Sequence, residues 1–97
     1  QSITGDGSTS TAIDVTSAVT EVDATSAQAP CTLADGANGQ IKIIINTSTS
    51  GSNAVVITPA NLRGGTTISL NAPGETVTCI FKNSNWNVIG GFGFAVA

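Results

Sequence analysis

The side chains from which active sites are usually built are scarce in this sequence. It contains no histidine, which removes the commonest general base, the commonest metal ligand and the base of a catalytic triad. Six carboxylates remain, and no pair stands out as the facing acids of a glycosidase-like site: Asp6, Asp14, Glu21, Asp23, Asp35 and Glu75. We therefore predict no catalytic residue and no enzyme activity. The alternative, an enzyme with dispersed acids, requires several carboxylates to converge in a concave pocket.

Three short motifs are similar to parts of known sites. Gly5-Asp6-Gly7-Ser8 matches a fragment of a calcium loop but lacks the further carboxylates that a hard cation needs, so it indicates a flexible turn. Gly90-Gly91-Phe92-Gly93-Phe94 is followed by no helix, so it indicates a bend rather than a phosphate loop. Asn46-Thr47-Ser48 is a glycosylation sequon, which has meaning only in a eukaryotic secretory host. We expect no metal ion and no cofactor.

The charge of the chain limits its partners. Charged residues make up only 9% of the sequence, against about 25% in ordinary globular proteins. The three positive residues, Lys42, Arg63 and Lys82, are spread along a chain of net charge −3. Phosphate binding needs clustered lysine and arginine, so we expect no nucleic-acid partner. No apolar run approaches the roughly 20 residues of a membrane-spanning helix, so we expect no membrane partner.

Two cysteines, Cys31 and Cys79, leave two interpretations open. A cysteine pair in a short secreted domain would suggest a disulfide. Both residues lie among apolar residues of predicted strands, which favours two buried thiols that behave as small hydrophobic side chains.

The hydrophobic pattern indicates β-strands nearly everywhere. Apolar and polar residues alternate, and β-branched residues dominate, as where Ile41, Ile43 and Ile45 share one face. Glycine, asparagine and proline separate these runs at the spacing of short strands. The sequence therefore predicts an all-β fold of about eight strands, a small antiparallel sandwich of the jelly-roll type. A tulip-like barrel is the alternative.

The 97 residues fit one domain. Residues 1–15 are predicted to form an N-terminal arm with a possible first strand, and residues 16–97 the single β domain. Within that domain, Thr32 to Gly36 and the strand after it resemble Ser69 to Gly74 and the strand after it. Each of these two segments predicts a hairpin.

Six apolar residues are candidates for an interface: Ile3, Ile13, Val15, Trp86, Phe92 and Phe94. The first three are apolar anchors within the predicted arm. Trp86 has two interpretations, a plug between the sheets or an exposed platform for a sugar or a protein. The two phenylalanines follow the last clear strand, where they either end the core or form an exposed patch.

Six motifs carry a family resemblance: Thr32-Leu33-Ala34-Asp35-Gly36, Gly39-Gln40-Ile41-Lys42, Ile57-Thr58-Pro59-Ala60-Asn61-Leu62, Gly64-Gly65-Thr66-Thr67-Ile68, Gly74-Glu75-Thr76-Val77-Thr78 and Trp86-Asn87-Val88-Ile89-Gly90-Gly91. The stretch they span is similar to a domain of tailed-phage virion proteins, especially those of phages of marine bacteria and cyanobacteria. The motifs consist mostly of turn and core residues, so they specify a fold better than an activity. Related chains tend to carry an aliphatic residue at the position of Cys79, which supports the buried thiol.

The resemblance implies a structural role in a virus particle. Such domains occur in capsid decoration (cement) proteins, head fibres and tail fibres, usually as homotrimers. It implies binding to the major capsid protein on the outer capsid surface, after assembly in the host cytoplasm, with the arm as the shell contact. The alternative is a receptor-binding or carbohydrate-binding module of a head or tail fibre.

Overall fold

The structure, a computed structural model, describes residues 1–97 and contains only β-strands as regular elements. There are ten: β1 (Ser2–Gly5), β2 (Thr11–Ile13), β3 (Val19–Ala24), β4 (Gln28–Leu33), β5 (Ile41–Asn46), β6 (Ala54–Pro59), β7 (Ile68–Leu70), β8 (Thr76–Lys82), β9 (Asn85–Phe92) and β10 (Ala95–Val96). They form two five-stranded sheets. Sheet A has the order β1-β3-β5-β8-β9 and sheet B the order β10-β7-β6-β4-β2. The predicted all-β sandwich is confirmed, with ten strands instead of about eight.

The first six strands wind as a flattened coil. The chain alternates between the sheets, so that β1, β3 and β5 lie parallel in sheet A and β2, β4 and β6 lie parallel in sheet B. Successive turns stack in register, and Ser2, Glu21 and Ile45 stand side by side. The antiparallel jelly-roll topology was therefore wrong, since four of the eight strand pairings are parallel. Alternating hydrophobicity reports which face of a strand is buried, but it does not report the direction of its neighbour.

The last four strands reverse direction and close the coil with antiparallel pairs. Asn83 and Ser84 join β8 to β9 with φ values of 54° and 63°, as a tight two-residue hairpin requires. The two predicted hairpins are absent, because the links from β4 to β5 and from β7 to β8 both cross from sheet B to sheet A. The similarity between those two segments therefore reflects a repeated crossing between sheets.

Residues 1–15 do not form a separate arm. They contribute one edge strand to each sheet, β1 to sheet A and β2 to sheet B. The side chain of Gln1 fastens this segment, because its Oε1 accepts hydrogen bonds from the backbone of Asp14 at 2.8 Å and from Thr20 Oγ1 at 2.9 Å. The glycine and serine content concealed two short strands whose apolar residues complete the core.

Strand β5 turns polar as well as apolar side chains inward. Lys42, Ile44 and Asn46 are fully buried, whereas Ile41 on the outer face is 49% exposed. The Lys42 ammonium donates hydrogen bonds to the carbonyl oxygen of Asp14 at 2.7 Å and to the carbonyl and hydroxyl oxygens of Ser17 at 2.8 and 2.9 Å. Burial lowers the pKa of Lys42, and the negative charge of Asp14 partly opposes that shift.

The Asn46 carboxamide is fully hydrogen-bonded at the other end of β5. Its Nδ2 donates to the carbonyl oxygens of Asn53 and Leu70 at 2.8 and 2.9 Å. Its Oδ1 accepts from the backbone N–H of Ser48 at 3.0 Å and from the Ser48 hydroxyl at 2.6 Å. The sequon nitrogen is therefore buried inside the fold, where it holds two backbone carbonyls.

Replacing Asn46 by alanine should destabilise the domain by about 2–4 kcal/mol, because several buried polar groups lose their partners. Chemical denaturation monitored by tryptophan fluorescence measures this change. The exposed Asn71, whose side chain makes no hydrogen bond, provides the control, and its substitution by alanine should cost less than about 0.5 kcal/mol. Equal losses in the two variants would contradict a structural role for the buried carboxamide.

Both cysteines are free and buried. Cys31 lies on β4 of sheet B and Cys79 on β8 of sheet A, within the core between the sheets. Burial raises the pKa of each thiol to about 11, so the reactive thiolate is scarce near neutral pH. The interpretation as two buried thiols is confirmed.

A thiol-specific disulfide reagent should therefore label neither cysteine in the native protein near neutral pH. After unfolding in guanidinium chloride, absorbance should report two reactive thiols per chain. Rapid labelling of the native protein, or fewer than two thiols after unfolding without reductant, would contradict this arrangement.

Candidate functional site

The six predicted interface residues differ in their burial and do not form one surface. Ile3, Ile13 and Trp86 are buried in the core, so these side chains are not available to a partner in this conformation. Val15 and Phe94 are half-buried and pack against the core. Phe92 alone is well exposed, with 71% of its surface accessible.

Trp86 is a plug between the sheets. Its ring packs edge-to-face against Phe81 with centroids 5.2 Å apart, and its Nε1 donates a hydrogen bond to the carbonyl oxygen of Ala34 at 2.9 Å. The alternative interpretation as an exposed platform was wrong, because the side chain is fully buried.

Phe92 belongs to an exposed apolar surface on β9, the edge strand of sheet A. Ile89 on the same strand is 57% exposed and lies where the pairing of β8 with β9 is shifted by a bulge. The segment 61–63 covers the start of this edge, since Trp86 N–H donates to the Asn61 carbonyl at 2.9 Å and Arg63 N–H to the Trp86 carbonyl at 3.0 Å. We call Ile89 and Phe92 the β9 edge surface.

Two glycines fix the direction of Phe92. Gly91 has φ 146° and Gly93 has φ 72°, values that residues with a side chain rarely adopt. A Cβ atom on Gly91 would lie 2.3 Å from the Thr76 carbonyl oxygen. The chain therefore leaves sheet A here and crosses to β10 in sheet B, with Phe94 against the core and Phe92 in solvent.

Substituting alanine for Gly91 should cost at least about 2 kcal/mol of stability, because both its φ value and the nearby carbonyl exclude a methyl group. The neighbouring Gly90 has open space at its Cβ position and no positive φ, so it is a matched control with a change below about 0.5 kcal/mol. Thermal unfolding of the two variants checks the difference. A Gly91 variant as stable as the Gly90 variant would contradict the described crossing.

The recesses of the molecule bring few titratable groups together. One of about 440 Å³ is lined by polar residues and contains a single carboxylate, that of Asp6. A second of about 430 Å³, between the ends of β4 and β6, contains none. No three histidine, cysteine or acidic residues are grouped as metal ligands. Neither recess shows the converging acids that the enzyme hypothesis requires.

The carboxylates of Asp6 and Asp14 serve as turn acceptors. Hydrogen bonds from the Ser8 hydroxyl and backbone lower the pKa of Asp6, and those from Thr16 lower the pKa of Asp14. Asp35 accepts two hydrogen bonds from the Asn61 amide, at 3.0 and 2.9 Å, and joins two loops in the same way. These acids hold loops in place, which is an ordinary role for exposed aspartates.

Sequence reasoning found Phe92 but missed Ile89. Ile89 is exposed because of the bulge, which places an additional residue on β9 and cannot be recognised from alternation alone.

No protein-family model matches the sequence, and no curated protein matches it. The structure has no helix long and apolar enough to cross a membrane.

Proposed function

We propose that the chain is a non-enzymatic virion structural protein that decorates and stabilises a phage capsid by bridging major capsid proteins. The observation that carries this proposal is the exposure of Phe92 and Ile89 on a strand whose backbone is fixed by pairing and by Gly91. Large apolar side chains held in solvent on a rigid element are typical of an interaction surface. The contact would lie on the outer capsid surface after assembly in the host cytoplasm.

The energetics of this surface suit a repeated contact. Burying one large apolar side chain contributes about 1.5–3 kcal/mol, so one copy would bind weakly through Phe92 and Ile89. Many copies that each join two shell subunits would gain strength through avidity. With 9% charged residues, the protein would make contacts that depend little on ionic strength. The homotrimer implied by the family resemblance is part of this proposal as the arrangement of copies on the shell, where it would multiply the number of contacts.

The second candidate is a receptor-binding or carbohydrate-binding module of a head or tail fibre. The exposed ring of Phe92 favours it, because an accessible aromatic face can stack on an apolar ligand surface. Trp86 and Phe94 do not add a second exposed ring, since one is buried and the other packs against the core. Decoration is therefore the first proposal and sugar binding the second.

Copy number separates the two candidates. Quantitative peptide mass spectrometry of purified particles from the source culture should find the chain in hundreds of copies per particle, in a fixed ratio to the major capsid protein. Tens of copies or fewer would favour the fibre module. Its absence from purified particles would overturn both proposals.

A rebinding experiment tests the surface itself. Particles stripped of the chain should recover heat resistance and cosedimenting protein when the recombinant chain is added. Phe92→Ser should lose most of the rebinding, whereas Val96→Ser, which removes exposed apolar surface on β10 of sheet B, should retain it. Equal retention by the two variants would exclude the β9 edge surface as the shell contact.

A further inference from the structure

The outer face of sheet A carries a second apolar surface, separate from the β9 edge surface. Its central strands bring together five aliphatic side chains, which we call the outer-face patch: Val19, Ile41, Ile43, Ile45 and Ile80. Pairing places Val19 beside Ile43, and Ile41 beside Ile80. Val19 is 42% exposed and Ile41 49%, while the other three are half-buried. A contiguous patch of this kind on a sheet face marks an interaction surface.

Opposite charges lie at opposite corners of the patch. Glu21 on β3 is exposed beside Ile45, and Asp23 follows on the same strand. Lys82 is exposed at the far end of β8, two residues beyond Ile80. Alternation along β8 places Lys82 on the same face as Ile80.

The patch is self-complementary by its position on the sheet. Strand β5 lies between β3 and β8. Glu21 is paired with Ile45, near one end of β5. Ile80 is paired with Ile41 at the other end of β5, and Lys82 lies two residues further along β8 in the direction away from Ile43. The midpoint between Glu21 and Lys82 therefore falls on β5 between Ile41 and Ile43, at the centre of the patch.

We propose that two copies of this chain associate face to face through the outer-face patch about a two-fold axis at that midpoint. With this axis in the plane of contact and perpendicular to the line from Glu21 to Lys82, the rotation places Glu21 of each copy against Lys82 of the other and joins the two apolar centres. One surface thus provides both halves of the contact, as isologous interfaces require. A second copy is the occupant that matches both the apolar centre and the two charged corners.

The size of the patch sets the strength of the contact. The whole outer face of sheet A has five strands about 4.8 Å apart and about 20 Å long, or roughly 500 Å² per copy, so a contact centred on the patch buries at most about 1,000 Å² in the pair. That total lies at the lower limit for a specific interface, so we expect a reversible dimer with a dissociation constant of roughly micromolar order or weaker. This contact is centred on β5, whereas the proposed shell binding uses Ile89 and Phe92 at the β9 edge, so each can be tested without the other.

Sedimentation velocity across a wide range of concentrations tests the contact directly. The wild-type chain should convert from monomer to dimer, and Val19→Lys should weaken association at least tenfold. Val96→Lys is the matched control, because Val96 is 39% exposed but lies on β10 in sheet B. Circular dichroism melts of each variant establish that it folds. A wild-type chain that stays monomeric, or one that forms trimers, would overturn the two-fold contact and leave the proposed function standing.

Charge reversal tests the arrangement of the two copies. Glu21→Lys alone and Lys82→Glu alone should each weaken association at least fivefold, because like charges then meet across the axis. The double variant restores opposite charges at both corners and keeps the wild-type net charge of −3, so it should recover most of the affinity. Single reversals without effect, or a double variant no better than the weaker single one, would overturn the proposed axis.

Discussion

The fold depends on the polar side chains that β5 directs inward. A chain that crosses repeatedly between two sheets leaves backbone carbonyls at each crossing, and buried carbonyls need donors. Lys42 supplies donors to the crossing from β2 to β3, through the carbonyls of Asp14 and Ser17. Asn46 supplies donors at the opposite end, to Asn53 and Leu70. Every buried side-chain nitrogen and oxygen has a hydrogen-bond partner, so these polar groups are accommodated in the core without the cost of an unpaired donor or acceptor.

The same strand shows how far the sequence predicts the fold. Alternation correctly predicted that β5 is a strand and that Ile41, Ile43 and Ile45 share a face. The parallel neighbour of β5 was not predictable, because side-chain alternation is the same in parallel and antiparallel sheets. The N-terminal segment was misread for a related reason. Its strands have four and three residues, too few for alternation to outweigh glycine and serine.

The candidate surfaces differ in how well the sequence indicated them. Phe92 was recognisable because it follows the last clear strand between two glycines, where a bend was expected. The outer-face patch was concealed because isoleucine on both sides of a strand resembles a strand buried on both faces. Only the strand order, which leaves nothing outside sheet A, shows that these isoleucines face solvent. For Trp86, the sequence could not decide between a side chain buried between the sheets and an exposed platform for a ligand.

The two apolar surfaces on sheet A are compatible with simultaneous use. The outer-face patch is centred on β5, whereas the β9 edge surface lies at the rim of the sheet and is held there by Gly91. The line from Glu21 to Lys82 runs mainly along the strands, so an axis in the contact plane perpendicular to it runs across the strands and leaves the β9 rims of the two copies on the same side of the pair. A pair of copies would then present two Phe92 side chains at separate positions. Self-association through one surface would therefore double the number of Phe92 side chains in one unit, without changing the surface that each copy presents at its β9 edge.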